Sequence, residues 1–288
     1  MTPTSTVLAS RNATAVPTPV AYDFRLYRYT PSLEVPIVAV AVFAILTGYH
    51  AILIKRHRSF YFTAFTIGGL FQCLGYAGRI WSHYDPMAIG GFVIQAILIL
   101  VAPALYAASI YMILTRLIRS INAQHLSIVP VRWLTRIFVA GDVVSFVMQA
   151  GGGGIQAAGT LDLYNLGEKI IIVGLFVQIA FFGFFIVTTV MFHYKSVATP
   201  TPAARAEVVR WKRHIYVLYT TSCLILVRSI FRVIEYLQGN GGYLISHEVF
   251  LYVFDALLMA SVMSTFAVWY IGDLEQDKDK LREFRIAG

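Results

Sequence analysis

Charge is scarce in this chain of 288 residues: Asp, Glu, Lys and Arg make up 13% of it, whereas about 25% is usual for a soluble domain. Cysteine occurs only at Cys73 and Cys223, which excludes a disulfide framework and a cysteine-based metal centre. The first 30 residues contain no apolar stretch of the kind that a cleavable signal peptide needs. These absences argue against an ordinary soluble domain and against a small disulfide-rich secreted protein.

Long apolar runs take the place of the missing charge, since 58% of the residues are hydrophobic. A helix needs about 20 mostly apolar residues to cross a hydrocarbon core of about 30 Å. The sequence therefore predicts an all-α, polytopic membrane protein with an N-terminal tail at 1–34, a transmembrane domain at 35–271 and a C-terminal tail at 272–288. Seven segments reach the required length: 35–54, 60–81, 89–115, 131–150, 167–193, 214–237 and 249–271.

The basic residues alternate with the apolar segments in a way that predicts orientation. Sixteen of the 23 Lys and Arg residues follow the first and seventh segments or lie between the third and fourth and between the fifth and sixth. The positive-inside rule then places the N-terminus outside and the C-terminus in the cytoplasm. This topology explains the formal charge of +8 without a nucleic-acid partner. Asn12 begins an N-glycosylation sequon, Asn-Ala-Thr, on the predicted external side.

Several charged residues lie inside the apolar segments, where each costs about 2.5–3.5 kcal/mol at the bilayer centre unless it is paired or faces water. We therefore expect them to face the interior of the bundle. In the sixth segment Arg228, Arg232 and Glu235 have the spacing i, i+4 and i+7, which puts them on one helix face. Arg232 can pair with Glu235 along the helix, whereas Arg228 needs a partner from another segment.

The other segments contribute further polar residues with one-face spacing, including Asp142, Ser145 and Gln149 in the fourth segment and Glu248 with Asp255 in the seventh. The predicted topology puts most of them in the outer half of the membrane and the rest near its middle. The sequence therefore predicts a polar funnel that opens outward and closes near mid-depth. The candidate ligand-binding or coupling residues are Arg79, Asp142, Gln149, Gln178, Arg228, Arg232, Glu235, Glu248 and Asp255.

Several motifs are missing, and each absence removes a class of function. The chain has no Walker sequence, no lysine in the seventh segment for a retinal Schiff base, and neither Asp-Arg-Tyr nor Asn-Pro-x-x-Tyr of common G-protein-coupled receptors. Only His83 and His247 lie near the predicted outer side, which is too few for a zinc site with about three His ligands. We therefore expect no metal, no other cofactor and no enzymatic activity.

A run of four glycines, 151–154, follows the fourth apolar segment. Four consecutive glycines give the backbone its greatest conformational freedom. The run is therefore predicted to end the fourth helix in an external connection, where it either forms a flexible lip or lets another element approach closely.

Six stretches of this sequence resemble the fungal RTA-like family over about residues 29–272. They are GYAGR at 75–79, APALYAASIY at 102–111, DVVSFVMQAGGGG at 142–154, GLFVQ at 174–178, RSIFRVIEY at 228–236 and HEVFLYVFDALLM at 247–259. The resemblance implies a seven-helix, lipid-translocating exporter of a fungal membrane, with the plasma membrane as the expected location. Family members are linked to resistance to aminosterols and sphingoid long-chain bases and, in one branch, to porphyrin or haem movement.

Two positions depart from the family pattern. Gln72 stands where the second helix usually carries Glu, and Leu258 stands where the seventh usually carries Pro, so a kink is not expected there. On this reading an amphipathic ligand binds in the outward-facing cavity, where carboxylates receive an ammonium group or a coupling proton and arginines bind an anionic head group. Two alternatives stay open at this stage: a receptor or sensor for an extracellular lipid-like ligand, and an intramembrane enzyme.

Overall fold

The computed structural model describes residues 32–85, 89–156, 161–205, 210–239 and 242–270. Within these ranges the chain forms helices and no β-strand, which confirms the all-α class. Residues 1–31 of the predicted N-terminal tail, including Asn12, and the whole of the predicted C-terminal tail, 272–288, lie outside the described residues. The long helices are α1 Glu34–His57, α2 Thr63–Tyr84, α3 Ile89–Ser120, α4 Val131–Gln156, α5 Leu161–Ala198, α6 Trp211–Leu237 and α7 Glu248–Val268.

Short helical turns join some of these helices, at Phe60–Phe62, Gln124–Leu126, Pro202–Arg205 and Tyr243–Ser246. Within the described residues, each predicted apolar segment largely coincides with one of the long helices. The helices extend beyond several of the apolar segments, most of all in α5, which runs from Leu161 to Ala198 where the hydropathy pattern indicated 167–193. Polar residues at the ends of these helices account for the difference, because they continue the helix without adding to the apolar run.

Five of the helices are long and apolar enough to cross a membrane: α1, α3, α5, α6 and α7. The other two, α2 and α4, carry glycines and polar residues that lower their hydropathy, among them Gln72, Arg79 and Asp142. These three side chains are buried against other helices and do not face the surroundings of the bundle. The chain is thus an integral membrane protein, and the crossing by α2 and α4 and the orientation remain predictions from the sequence.

Consecutive long helices run antiparallel, so the bundle has two ends. We call the end where Ser32 donates its backbone N–H to Glu248 the Ser32 end. The opposite end, where Thr201 of the α5–α6 connection hydrogen-bonds to Ile121 after α3, is the Arg58 end. The described basic residues that support the positive-inside prediction lie at the Arg58 end: Lys55, Arg56, Arg58, Arg116, Arg119, Arg132, Arg136, Lys195, Arg205, Arg210, Lys212 and Arg213.

Aromatic side chains fill the half of the bundle next to the Arg58 end. Phe65 of α2 contacts Phe62, Tyr106 of α3 and Phe266 of α7, with ring centroids 4.4, 4.7 and 5.1 Å apart. The buried charged side chains lie instead between the middle of the bundle and the Ser32 end: Arg79, Asp142, Arg228, Glu235 and Asp255. The interior is therefore apolar in one half and charged in the other.

The four glycines at 151–154 do not end α4, which continues through all of them to Gln156, so the predicted helix stop is wrong. The predicted close approach is confirmed, and the approaching element is α5. A Cβ atom on Gly152 would lie 2.7 Å from the carbonyl oxygen of Gly167, and one on Gly167 would lie 2.4 Å from that of Gly152. Small residues that let backbones approach are typical of helix interfaces in membranes, and this packing outweighs the low helix propensity of glycine.

This packing predicts opposite effects for neighbouring glycines. Gly152→Ala is expected to lower the thermal unfolding temperature of the purified protein, because the added methyl group meets the α5 backbone. Gly153→Ala adds the same methyl group where no atom lies within 4 Å, and is expected to stabilise by up to about 1 kcal/mol through helix propensity. Equal effects of the two substitutions would contradict the close α4–α5 contact.

Helix α7 is irregular just before Leu258. Residues Tyr252–Leu257 form a π-helical turn directly before Leu258, and Asp255 lies within this turn. The sequence has no proline at this point, and the irregularity is a π turn, which needs none. Such turns are frequent at functional sites.

Candidate functional site

Arg79 of α2 and Glu248 at the start of α7 form an ion pair nearest the Ser32 end, which we call the end pair. The Arg79 Nη2 and Glu248 Oε1 atoms are 2.7 Å apart. Tyr252, one turn along α7, accepts a hydrogen bond from Arg79 Nε at 2.9 Å and donates one to Glu248 Oε1 at 3.2 Å. The backbone N–H of Ser32 also donates to Glu248 Oε2, at 3.1 Å. The end pair thus joins α2, α7 and the residue Ser32, which lies two positions before α1.

Arg228 of α6 and Asp255 of α7 form a second ion pair, deeper in the bundle, which we call the central pair. Arg228 donates from Nε to Asp255 Oδ1, and both side chains are at most 3% exposed. Arg228 Nη2 donates to the backbone carbonyl of Ile99 in α3 at 3.2 Å. The partner that the sequence demanded for Arg228 is therefore Asp255, and the pair connects α3, α6 and α7.

Buried polar atoms without a hydrogen-bond partner lie in the central pair itself and on the face of α2 that carries Tyr76. They are Asp255 Oδ2, the hydroxyl of Tyr76, and both amide atoms of Gln72, all fully or almost fully buried. The Tyr76 ring stacks on Phe43 of α1 and on Tyr252, at centroid distances of 5.7 and 6.0 Å. Its hydroxyl lies within electrostatic range of Arg228 and Asp255. Gln72 lies one turn from Tyr76 on the same face of α2.

A third pair, which we call the α6 pair, runs along α6. Arg232 Nη1 and Glu235 Oε2 are 2.7 Å apart, which confirms the predicted pairing along the helix. The Arg232 guanidinium also lies 5.2 Å from the centroid of the Tyr236 ring. Both side chains of the pair are at least partly exposed, at 19% and 9%, so this pair lies closer to the surface of the bundle than the central pair.

Asp142 of α4 differs from the other buried acids, because its hydrogen-bond partner is a hydroxyl. Tyr111 of α3 donates to Asp142 Oδ2 at 3.0 Å. Further along the same face of α4, Gln149 Nε2 donates to Ser145 Oγ at 2.7 Å and to Gln178 Oε1 of α5 at 3.2 Å. The fourth-helix residues that the sequence placed on one face therefore lie on the buried face, as predicted.

All nine predicted site residues are buried or half-buried, so their predicted inward orientation is confirmed: Arg79, Asp142, Gln149, Gln178, Arg228, Arg232, Glu235, Glu248 and Asp255. They are distributed over several separate contacts, because three arginines take one carboxylate each and leave Asp142 with a tyrosine. The predicted polar funnel is not open at the level of Arg79, because this side chain is 1% exposed and pairs with Glu248 there.

Two tyrosines that the sequence analysis did not select, Tyr111 and Tyr252, complete these contacts, and a third, Tyr76, stacks on Tyr252. The signal for them was present in the sequence. A buried tyrosine hydroxyl usually finds a hydrogen-bond partner, and the polar residues inside the apolar segments need such partners as well. Among the residues that the structure describes, no group of three or more His, Cys, Asp or Glu is arranged to hold a metal ion.

In a comparison with known proteins, residues 65–278 match the family model described as RTA1 like protein. Protein RTA1 of Saccharomyces cerevisiae is 37% identical over 270 residues, covering 85% of this chain and 84% of the relative. Protoporphyrin uptake protein 1 of the same yeast is 38% identical over 284 residues, covering 85% and 91%. The S. cerevisiae sphingoid long-chain base transporter RSB1 is 28% identical over 278 residues, covering 84% and 72%. No solved structure matches the chain.

Proposed function

Since this chain belongs to the RTA1-like family, we propose that it is a membrane transporter that moves an amphipathic, lipid-like molecule between the two sides of a membrane. Named relatives are a transporter and an uptake protein, and none of these names describes an enzyme. Removal of toxic amphiphiles from the cell would give resistance to them, and the plasma membrane is the location where such removal is useful.

The observation that carries this proposal is the buried central pair with unpartnered polar atoms beside it. A buried polar atom without a hydrogen bond costs about 1–3 kcal/mol, so several at one place are unusual in a core that serves stability alone. The polar head group of a ligand would satisfy Asp255 Oδ2, the Tyr76 hydroxyl and the Gln72 amide together. We therefore place the head-group site between α1, α2 and α7, next to the central pair.

The central pair accommodates head groups of either charge. Asp255 would receive an ammonium group, and Arg228 would receive a carboxylate or phosphate. The relatives differ in the same sense, since one is named for a sphingoid base and another for a protoporphyrin.

The end pair lies between this site and the Ser32 end of the bundle. Arg79 and Glu248 would have to separate for a head group to pass on that side. The π turn at Tyr252–Leu257 contains Asp255, whereas Glu248 lies in the α-helical turn directly before it, so the two acids lie on either side of the start of the irregular part of α7. A change of this turn to regular helix would move the two acids relative to each other and to their arginines.

Transport is tested with purified protein in liposomes and a fluorescent sphingoid base added on one side. The proposal predicts that the wild-type protein moves the label between leaflets faster than protein-free liposomes do, and that unlabelled base competes. Saturable binding of the label without movement would favour a receptor and overturn the proposal. Absence of both binding and movement would leave the ion pairs with a structural role alone.

Gln72 allows a separate test of the head-group site. Gln72→Leu removes two unpartnered buried polar atoms, and we expect it to raise the free energy of unfolding by about 1–3 kcal/mol. The same substitution removes a ligand contact and is expected to weaken binding of the fluorescent base. Gln95→Leu, a buried glutamine of α3, is the matched control for the loss of an amide and should leave binding unchanged. Unchanged binding in Gln72→Leu would argue against the site.

A further inference from the structure

Asp142 lies near the middle of α4 and is 5% exposed. Arg79, Arg228 and Arg232 each pair with a different carboxylate, in the end pair, the central pair and the α6 pair. Asp142 is the exception among the buried acids in the described part of the chain, since a tyrosine is its partner. An ionised carboxylate in apolar surroundings without a cation is far more costly than a neutral one, so such a group takes up a proton.

No other titratable group faces Asp142 in the described residues. Tyr111 of α3 is the one titratable side chain that interacts with it. From α5 the neighbouring side chains are aromatic hydrocarbons: Phe182 and Phe185 contact the Tyr111 ring, with centroids 6.2 and 4.6 Å away, and Phe181 packs on Gly141. On α4 itself the next residue on the same face is Ser145.

Further polar side chains lie on either side of Asp142 along the bundle. Toward the Ser32 end, Gln149 Nε2 donates to Ser145 Oγ at 2.7 Å. Toward the Arg58 end, Thr115 donates to the backbone carbonyl of Tyr111 at 2.9 Å, and its hydroxyl lies 2.9 Å from that of Thr135. We call this set the polar file; its members are Gln149, Ser145, Asp142, Tyr111, Thr115 and Thr135.

The polar file crosses a large part of the bundle. Thr135 and Gln149 are fourteen residues apart on α4, which corresponds to about 21 Å at a rise of 1.5 Å per residue. Asp142 is at the midpoint. The file lies on α3 and α4, whereas the head-group site proposed above lies between α1, α2 and α7, so protons and ligand would use different parts of the bundle.

From this geometry we propose that Asp142 is a proton-binding site that carries a proton in the resting protein, and that proton movement along the polar file drives transport. This inference rests on the proposed transport function for its second half. In each cycle Asp142 releases its proton to water on one side and takes one from water on the other, so its charge alternates between neutral and negative. Tyr111 donates to the carboxyl group in both states.

The proton is detected directly by infrared spectroscopy of the purified protein in lipid nanodiscs at neutral pH. We expect the carbonyl band of a protonated carboxylic acid in the wild-type protein and its loss in Asp142→Asn, which has the same shape as the protonated acid. Tyr111→Phe should shift the band, because the hydrogen bond to the carboxyl group is lost. Glu235→Gln removes an acid that is paired with an arginine, and it should leave the band unchanged.

Coupling is measured in the liposome assay with and without a pH difference across the membrane. We expect the wild-type protein to move the fluorescent base faster with the pH difference, and Asp142→Asn to move it at one rate under both conditions. No protonated-acid band in the wild type, or a band that persists in Asp142→Asn, would overturn the proton site. A wild-type rate that ignores the pH difference, or an Asp142→Asn rate that still follows it, would overturn the coupling.

The two proposals fail in different ways. If the wild-type protein moves no label under any condition, the proposed transport function and the coupling both fall. The infrared band still decides in that case whether Asp142 holds a proton.

Discussion

Replacement of Arg228 by methionine is expected to destabilise the protein by about 3–5 kcal/mol, because it leaves Asp255 as a buried carboxylate without its cation. Both side chains are almost fully buried, and Arg228 also donates to the carbonyl of Ile99. The double variant Arg228→Met/Asp255→Leu replaces both charges by apolar groups of similar size, and should recover most of this loss. Denaturant unfolding in mixed micelles measures the difference.

The comparison of the single and double variants separates two contributions of the central pair. If the pair serves only to hold α6 against α7, the double variant should be stable and fully active. If it binds the ligand head group, the double variant should be stable and inactive. Equal stability of wild type and Arg228→Met would contradict the buried ion pair itself. Arg119→Met, an exposed arginine at the end of α3, is the control for loss of a basic residue.

The second large effect is expected at the end pair. Glu248→Ala removes the carboxylate that accepts from Arg79, and truncation of one partner of a buried charge pair costs about 2–5 kcal/mol. The side chain of Glu248 is 16% exposed, which places the expected loss near the lower limit. Tyr252 and the backbone N–H of Ser32 lose an acceptor as well.

The same substitution should open the Ser32 end. We expect fluorescent base bound to Glu248→Ala to dissociate faster than from the wild type, because the end pair no longer closes the route from the head-group site. Stopped-flow dissociation measures this rate, and Glu34→Ala, an exposed acid in the first turn of α1, is the matched control. Dissociation at the wild-type rate, with the expected loss of stability, would assign the end pair a structural role alone.

The sequence was sufficient for the parts of the site that depend on local spacing. Arg232 and Glu235 are three residues apart on one helix, so their pairing follows from helix geometry. The inward orientation of Asp142, Ser145 and Gln149 follows from the cost of exposing polar groups to lipid. The all-α class and the approximate positions of the long helices follow from the apolar runs.

Contacts between helices could not be predicted from the sequence, because the spacing of residues along one helix does not fix the depth or rotation of that helix relative to another. Arg228 needed a partner, but Asp142, Glu248 and Asp255 were all available, and only the packing of α6 against α7 selects Asp255. The glycine run was misread for a related reason. Its helix-ending tendency is local, whereas the α5 backbone that packs on Gly152 comes from a distant part of the chain.

The π turn in α7 could not be predicted from the sequence either. Proline is the usual sequence signal for an irregular helix, and position 258 is a leucine. The turn contains Asp255, which pairs with Arg228, and Tyr252, which accepts a hydrogen bond from Arg79. It is therefore the part of α7 in which we propose the conformational change of the transport cycle.

The central claim is that the buried central pair binds the head group of a transported amphiphile. Its most direct test is the movement of fluorescent sphingoid base in liposomes that contain Arg228→Met/Asp255→Leu, after its stability has been shown to approach that of the wild type. The account predicts no movement above that in protein-free liposomes. Movement at the wild-type rate by this folded variant would contradict it, because neither charge of the central pair would then be needed for transport.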